Sequence, residues 1–131
     1  MAILTNPTGV ATGQTTADGT VTTDTGSGDV YTVVTQSSRA PTAAQVKAGL
    51  DGFGSPADYA QNSLLFGLPG VVAFSAVGLA PATTYFFHFM QEILNGSQSA
   101  VVTSSAFTTD APPMSLRRRD RSRTVIVRGA L

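Results

Sequence analysis

The stretch Leu79-Ala80-Pro81-Ala82-Thr83-Thr84-Tyr85-Phe86-Phe87-His88-Phe89-Met90 decides the fold. A proline-containing bend just before a tyrosine lets the phenol oxygen hydrogen-bond back to the chain a few residues upstream, while the ring closes the end of a core. Leu79, Pro81 and Tyr85 are the residues of such a corner, which ties a crossover between two stacked β-sheets. Beyond the corner the alternation of a strand puts Tyr85, Phe87 and Phe89 on one face and Phe86, His88 and Met90 on the other. The first set is expected in the core. The second forms an apolar stripe on the outward face, to be covered by the rest of the chain or used as a subunit interface.

Outward from this segment, short strand-like runs alternate with turn signals, the pattern of a sandwich rather than of βαβ units. Strands are expected near 10–14, 19–24, 30–36, 62–66, 71–77, 85–91 and 100–108. Asp24-Thr25-Gly26-Ser27-Gly28-Asp29 and Asn95-Gly96 are the clearest turns between them. One short helix is expected over 43–48, opened by Pro41-Thr42 and closed by Gly49, lying across an edge or end of the sandwich. The fold class is therefore all-β, with about seven strands and one helix.

In 131 residues, 42% are hydrophobic and only 12% charged. That suffices for one core with a mostly neutral surface. The absence of cysteine excludes disulfides, thiolate metal sites and cysteine nucleophiles. The N-terminal residues lack the basic and apolar regions of a secretory signal, and no apolar run reaches the ~20 residues of a membrane span, so assembly in a cytoplasm is expected.

The zero net charge conceals a split. Residues 1–110 carry Arg39 and Lys47 against seven acidic side chains, a net −5, whereas residues 111–131 carry six arginines against Asp120, a net +5. Pro112-Pro113 marks the boundary between a sandwich, 1–110, and an extended arm, 111–131. In the arm, Arg117, Arg118, Arg119, Arg121 and Arg123 precede Thr124-Val125-Ile126-Val127-Arg128, which reads as a strand with nothing of its own to pair with. No aromatic residue accompanies the arginines, which disfavours nucleic acid and favours docking on an acidic protein surface by strand addition.

Candidate sites of other kinds are poor. His88, the sole histidine, has no ligand-spaced partner and reads as a packing residue. Asp24, Asp29, Asp51 and Asp58 match no calcium loop and read as turn formers. No catalytic residue, metal or cofactor is assigned, and the chain is not expected to be an enzyme.

The chain resembles fibronectin type III-like domains, in the version found in bacteriophage virion proteins. The likeness spans roughly residues 7–110. It is carried by Gly19-Thr20-Val21-Thr22-Thr23-Asp24, Val30-Tyr31-Thr32-Val33-Val34-Thr35, Ala40-Pro41-Thr42-Ala43-Ala44-Gln45-Val46-Lys47-Ala48-Gly49, the corner and Phe87-His88-Phe89-Met90. The segment Arg123-Thr124-Val125-Ile126-Val127 is similar to arms of phage structural proteins. Thr32 departs from the large aromatic such domains often place there, and tryptophan is absent, so the Phe-rich strand is expected to fill the core instead. The resemblance implies a capsid decoration or accessory protein in the virion, anchored through its arm to other virion structural proteins in many copies. Its outward loops would be free for weak contact with bacterial surface glycans. The alternatives are a tail or head-to-tail connector component, or a nucleic-acid-associated protein using the arginine cluster.

Overall fold

The computed structural model describes residues 2–65, 68–94 and 96–112. Eight strands and one helix follow in the order β1 (Leu4–Ala11), β2 (Ala17–Thr23), β3 (Asp29–Thr35), α1 (Ala43–Ala48), β4 (Tyr59–Leu64), β5 (Gly70–Ala76), β6 (Thr84–Glu92), β7 (Val102–Thr103) and β8 (Phe107–Thr108). All pairing is antiparallel. One sheet runs β1-β2-β5, and the other runs β4-β3-β6-β7, with β8 also on β6.

The sheets face one another across a core led by Tyr85, Phe87 and Phe89 from β6, Phe74 from β5 and Phe107 from β8. Phe87 stacks on Phe89 at 5.7 Å and on Phe107 at 5.4 Å between ring centroids. Each such ring contributes roughly 1.5–3 kcal/mol by leaving water. The Phe-rich strand thus fills the core, as expected. Opposite Phe87 lie Gly9 and Gly19, paired across β1 and β2. A Cβ at Gly19 would stand 2.7 Å from the Phe87 ring, and one at Gly9 2.8 Å from it. Two bare backbones therefore form the bed on which the ring rests.

The corner is present. The Ala80 N–H donates to Tyr85 Oη at 2.8 Å, and Tyr85 is buried against Phe107. Ala82 takes φ 51°, a left-handed turn conformation, between Pro81 and the start of β6. Thr109 fastens the other side of this bend: its N–H donates to Thr83 O at 3.0 Å, and its hydroxyl donates to Ala80 O at 2.7 Å. Asp110 adds two backbone bonds, to Gly13 O at 3.1 Å and from Ala82 N–H at 3.2 Å. The described residues end just beyond this knot, at Pro112.

Four expectations are corrected. The first strand lies at Leu4–Ala11 rather than 10–14, because the chain passes through Asn6-Pro7 as a bulge and stays paired: Asn6 has φ 52° and the register shifts between Thr5 and Thr8. The expected strand 62–66 lies earlier, at Tyr59–Leu64. The strand expected over 100–108 is broken into β7 and β8, since Ser104 takes over the ladder with its side chain, its Oγ accepting the Phe87 N–H at 3.0 Å. The helix has the expected limits, with a capping box between Thr42 and Gln45 and Gly49 at φ 80°, but it lies on a sheet face rather than an edge or end. Val46 packs there against Val33 and Met90, the outward side chains of β3 and β6.

Candidate interaction surfaces

The helix position settles the outward stripe. His88 and Met90 are fully buried, and only Phe86 keeps partial exposure, so the reading of Phe86, His88 and Met90 as a free interface is overturned. The helix α1 supplies the cover over Met90 and Val33.

His88 is held by both ring nitrogens. The Thr35 hydroxyl donates to Ser37 O at 2.8 Å, so its oxygen accepts the Nε2–H of His88 at 2.9 Å, leaving Nδ1 to accept from Thr103 Oγ1 at 2.8 Å. Burial holds this imidazole below its ordinary pKa of 6.5, opposed by the nearby Ser37 carbonyl. The group is a neutral bridge among β3, β6 and β7.

Gln91 was not singled out by sequence reasoning. Its position continues the inward alternation of Tyr85, Phe87 and Phe89, which was the available signal. Its Oε1 accepts from Thr23 Oγ1 of the opposite sheet, while its Nε2 donates to Thr25 O at 2.7 Å and Ser27 O at 2.9 Å. The buried amide thereby shapes the turn between β2 and β3.

The acidic side chains of that and neighbouring turns are occupied locally. Asp24 Oδ1 accepts the Ile3 N–H at 2.9 Å and the Thr25 hydroxyl at 2.8 Å, and these bonds lower its pKa. Asp51 Oδ1 accepts the N–H groups of Phe53 and Ser55, each at 2.9 Å. Asp29 accepts from Asn62 Nδ2 at 3.0 Å. Among the described residues, no three His, Cys, Asp or Glu side chains gather as a metal site.

On the helix-bearing face, Lys47 reaches Glu92 at 2.8 Å. Each holds the other charged: the hydrogen bond to Glu92 raises the Lys47 pKa, and that to Lys47, aided by Gln98, lowers that of Glu92. Two shallow clefts of about 200 and 230 Å³ flank Tyr31, one beside α1 and β4, the other beside Ile93 and Leu94. Both are open and lined by side chains of mixed character.

The sheet edges differ more sharply. An edge strand offers unpaired backbone groups to other chains unless something blunts it. The bulge and Pro7 blunt β1, and the break at Ser104 blunts β7–β8. Ala60 of β4 lies against Gly49 at the end of α1. By contrast β5 pairs with β2 over seven residues without a register shift, contains neither proline nor charge, and has no partner strand on its other side among the described residues. The Asp24 N–H donates to Ile3 O, so alternation turns the even-numbered β2 amides toward β1 and the odd ones toward β5. On β5 it follows that Val72 and Phe74 bond to β2, while the amides of Val71, Ala73 and Ser75 point outward.

No family model, curated protein or solved structure matches the chain.

The arm residues Arg117, Arg118, Arg119, Arg121, Arg123, Thr124, Val125, Ile126, Val127 and Arg128 lie outside the described residues. Among the described residues no helix is long and apolar enough to cross a membrane.

Proposed function

We propose that the chain is a bacteriophage virion structural protein, a capsid accessory or decoration module of fibronectin type III-like fold that is anchored by its arginine-rich arm. The strand distribution supports the family reading: three strands stand against the β4-β3-β6-β7 sheet, with β4 beside β3 rather than beside β5, unlike the four-against-three arrangement of constant-type immunoglobulin domains. The tyrosine corner adds to it. The observation that carries the functional reading is the division of labour along the chain. Within residues 2–112 the core closes on itself, and its ionisable side chains are largely engaged in turns, a buried bridge and one ion pair. The segment that follows carries a net +5, concentrated in its arginines.

The mechanism is non-covalent. The arm orders on an adjoining subunit, its strand segment contributes backbone bonds, and its arginines steer encounter and make forked contacts to carboxylates. Many copies on a symmetric shell add avidity through high effective concentration. The test is deletion of residues 113–131 followed by purification of assembled particles: the truncated chain is expected to stay folded and to be missing from the particles. Normal occupancy without the arm would refute the anchor.

A further inference from the structure

We infer that the free edge of β5 is the receiving site for the arm, taking residues 124–128 of a neighbouring copy of this chain as a fourth strand of the β1-β2-β5 sheet. The inference rests on the anchoring-arm reading and names its partner. It begins with the edge itself. The outward amides of Val71, Ala73 and Ser75 present a regular set of donors and acceptors over an uninterrupted strand, and their side chains stand exposed on the outer face of the sheet. Val71 is 70% exposed. An incoming Thr-Val-Ile-Val segment would cover that apolar surface with alternate side chains of its own.

Charge points the same way. The sheet carries a single charged side chain, Asp18, whose carboxylate lies beside β5 and accepts the Ser75 hydroxyl at 3.0 Å. No lysine or arginine in these strands opposes a basic arm, and the body as a whole carries −5 against its +5. Arg123 and Arg128 bracket the segment, so an arginine stands at each end to meet Asp18 in either strand direction.

Reach allows a neighbouring copy to be the donor. The chain leaves through Thr109 and Asp110 on the β1 and β8 side, where Asp110 bonds to Gly13, whereas β5 forms the opposite edge of the sheet. Between the exit and Thr124 lie residues 113–123, which span up to roughly 36–40 Å when extended. A donor on one side and an acceptor on the other make a head-to-tail contact, which closes into rings or runs on as a file of subunits.

The test uses the full chain. Sedimentation velocity across a wide concentration range is expected to show self-association, and amide hydrogen exchange at Val71, Ala73 and Ser75 to slow as the associated fraction grows. Ala73→Pro removes an outward donor without touching the β2 ladder, Val71→Lys repels the arm and leaves the backbone intact should the proline variant unfold, and Ile126→Pro spoils the incoming strand. Each is expected to weaken association at least tenfold. Association that survives Ile126→Pro would overturn the inference, since β5 would then be pairing with another β5. So would protection of those three amides in a monomeric chain, which marks the molecule's own arm as occupant, and so would a monomer with all three unprotected. Arm-dependent entry into particles by a chain that stays monomeric would refute the β5 site alone, whereas arm-independent entry would refute the anchor.

Discussion

Adding one methyl group at Gly19 should destabilise the protein, against the usual trend for glycine in a strand. Replacing glycine by alanine normally stabilises by about 0.4–1 kcal/mol, because the unfolded chain loses freedom, provided the native backbone suits an L-residue. Gly19 does not have the positive φ that would forbid alanine. Space is what forbids it: the new Cβ would lie 2.7 Å from Phe87 Cγ and Cδ1 and 2.8 Å from Cε1, where carbon atoms settle at about 3.5–4.0 Å. The ring has little room to retreat, being stacked with Phe89 at 5.7 Å and a 4° interplanar angle and packed against Phe107 at 5.4 Å. Overpacking of this kind costs about 1–3 kcal/mol, so Gly19→Ala should lower stability by about 1–2 kcal/mol net. That corresponds to a fall in Tm of roughly 4–10 °C for a domain of this size. Urea unfolding of four proteins, the parent, Gly19→Ala, Phe87→Leu and the double variant, measures both the cost and its origin. In the Phe87→Leu background the Gly19→Ala cost should vanish or change sign. A neutral or stabilising Gly19→Ala, or an equal cost in both backgrounds, would refute the bed of glycines.

Three further outcomes are expected. His88 has a folded pKa below 6.5, so the unfolded chain binds more protons below that pH, and stability should fall as pH drops from 6.5 through the folded value; urea midpoints between about pH 7.5 and 5 should slope accordingly and lose that component in His88→Gln. Ala82→Gly should raise stability by up to about 1 kcal/mol, since Ala82 sits at φ 51°, where a Cβ costs about 1–2 kcal/mol and glycine's entropy takes back only part of the gain; an unchanged Tm would contradict this. Tyr85→Phe removes the acceptor of the Ala80 N–H and should cost about 0.5–1.5 kcal/mol in chemical unfolding, the lower half of that range applying if water replaces the phenol oxygen.

What could be read from the sequence followed the strength of local signals. The Pro81 to Tyr85 corner, the alternation of β6 and the Thr42 to Gly49 helix were legible because each depends on neighbours in the chain, through a side-chain cap, a left-handed glycine or a period of two. The placement of the helix was not, for what pulls Val46 onto Val33 and Met90 is a demand created by a strand over forty residues away. The first strand was expected only from residue 10, and the fold carries it back through Asn6-Pro7 as a bulge on an edge, where proline has no ladder bond to lose. Gly9 and Gly19 gave no warning of their role, since a ring resting on backbone is visible only once Phe87 faces them. The outward stripe was placed on the correct side of β6 with its fate left open between a cover and an interface, because periodicity reports which way a side chain points and not what lies on top of it.

The knot at Thr109 and Asp110 bears on how the sandwich would respond to a pull. Tension applied beyond Pro112 meets the bonds from Thr109 to Ala80 and Thr83 and from Asp110 to Gly13 and Ala82 before it reaches the two-residue pairing of β8. Those bonds join the exit both to the tyrosine corner and to the hairpin between β1 and β2, so load spreads into both sheets together instead of peeling the last strand off residue by residue. A domain tethered at this point behaves as a button sewn through both layers of cloth: stretching the thread strains the whole weave, and fraying has to begin elsewhere.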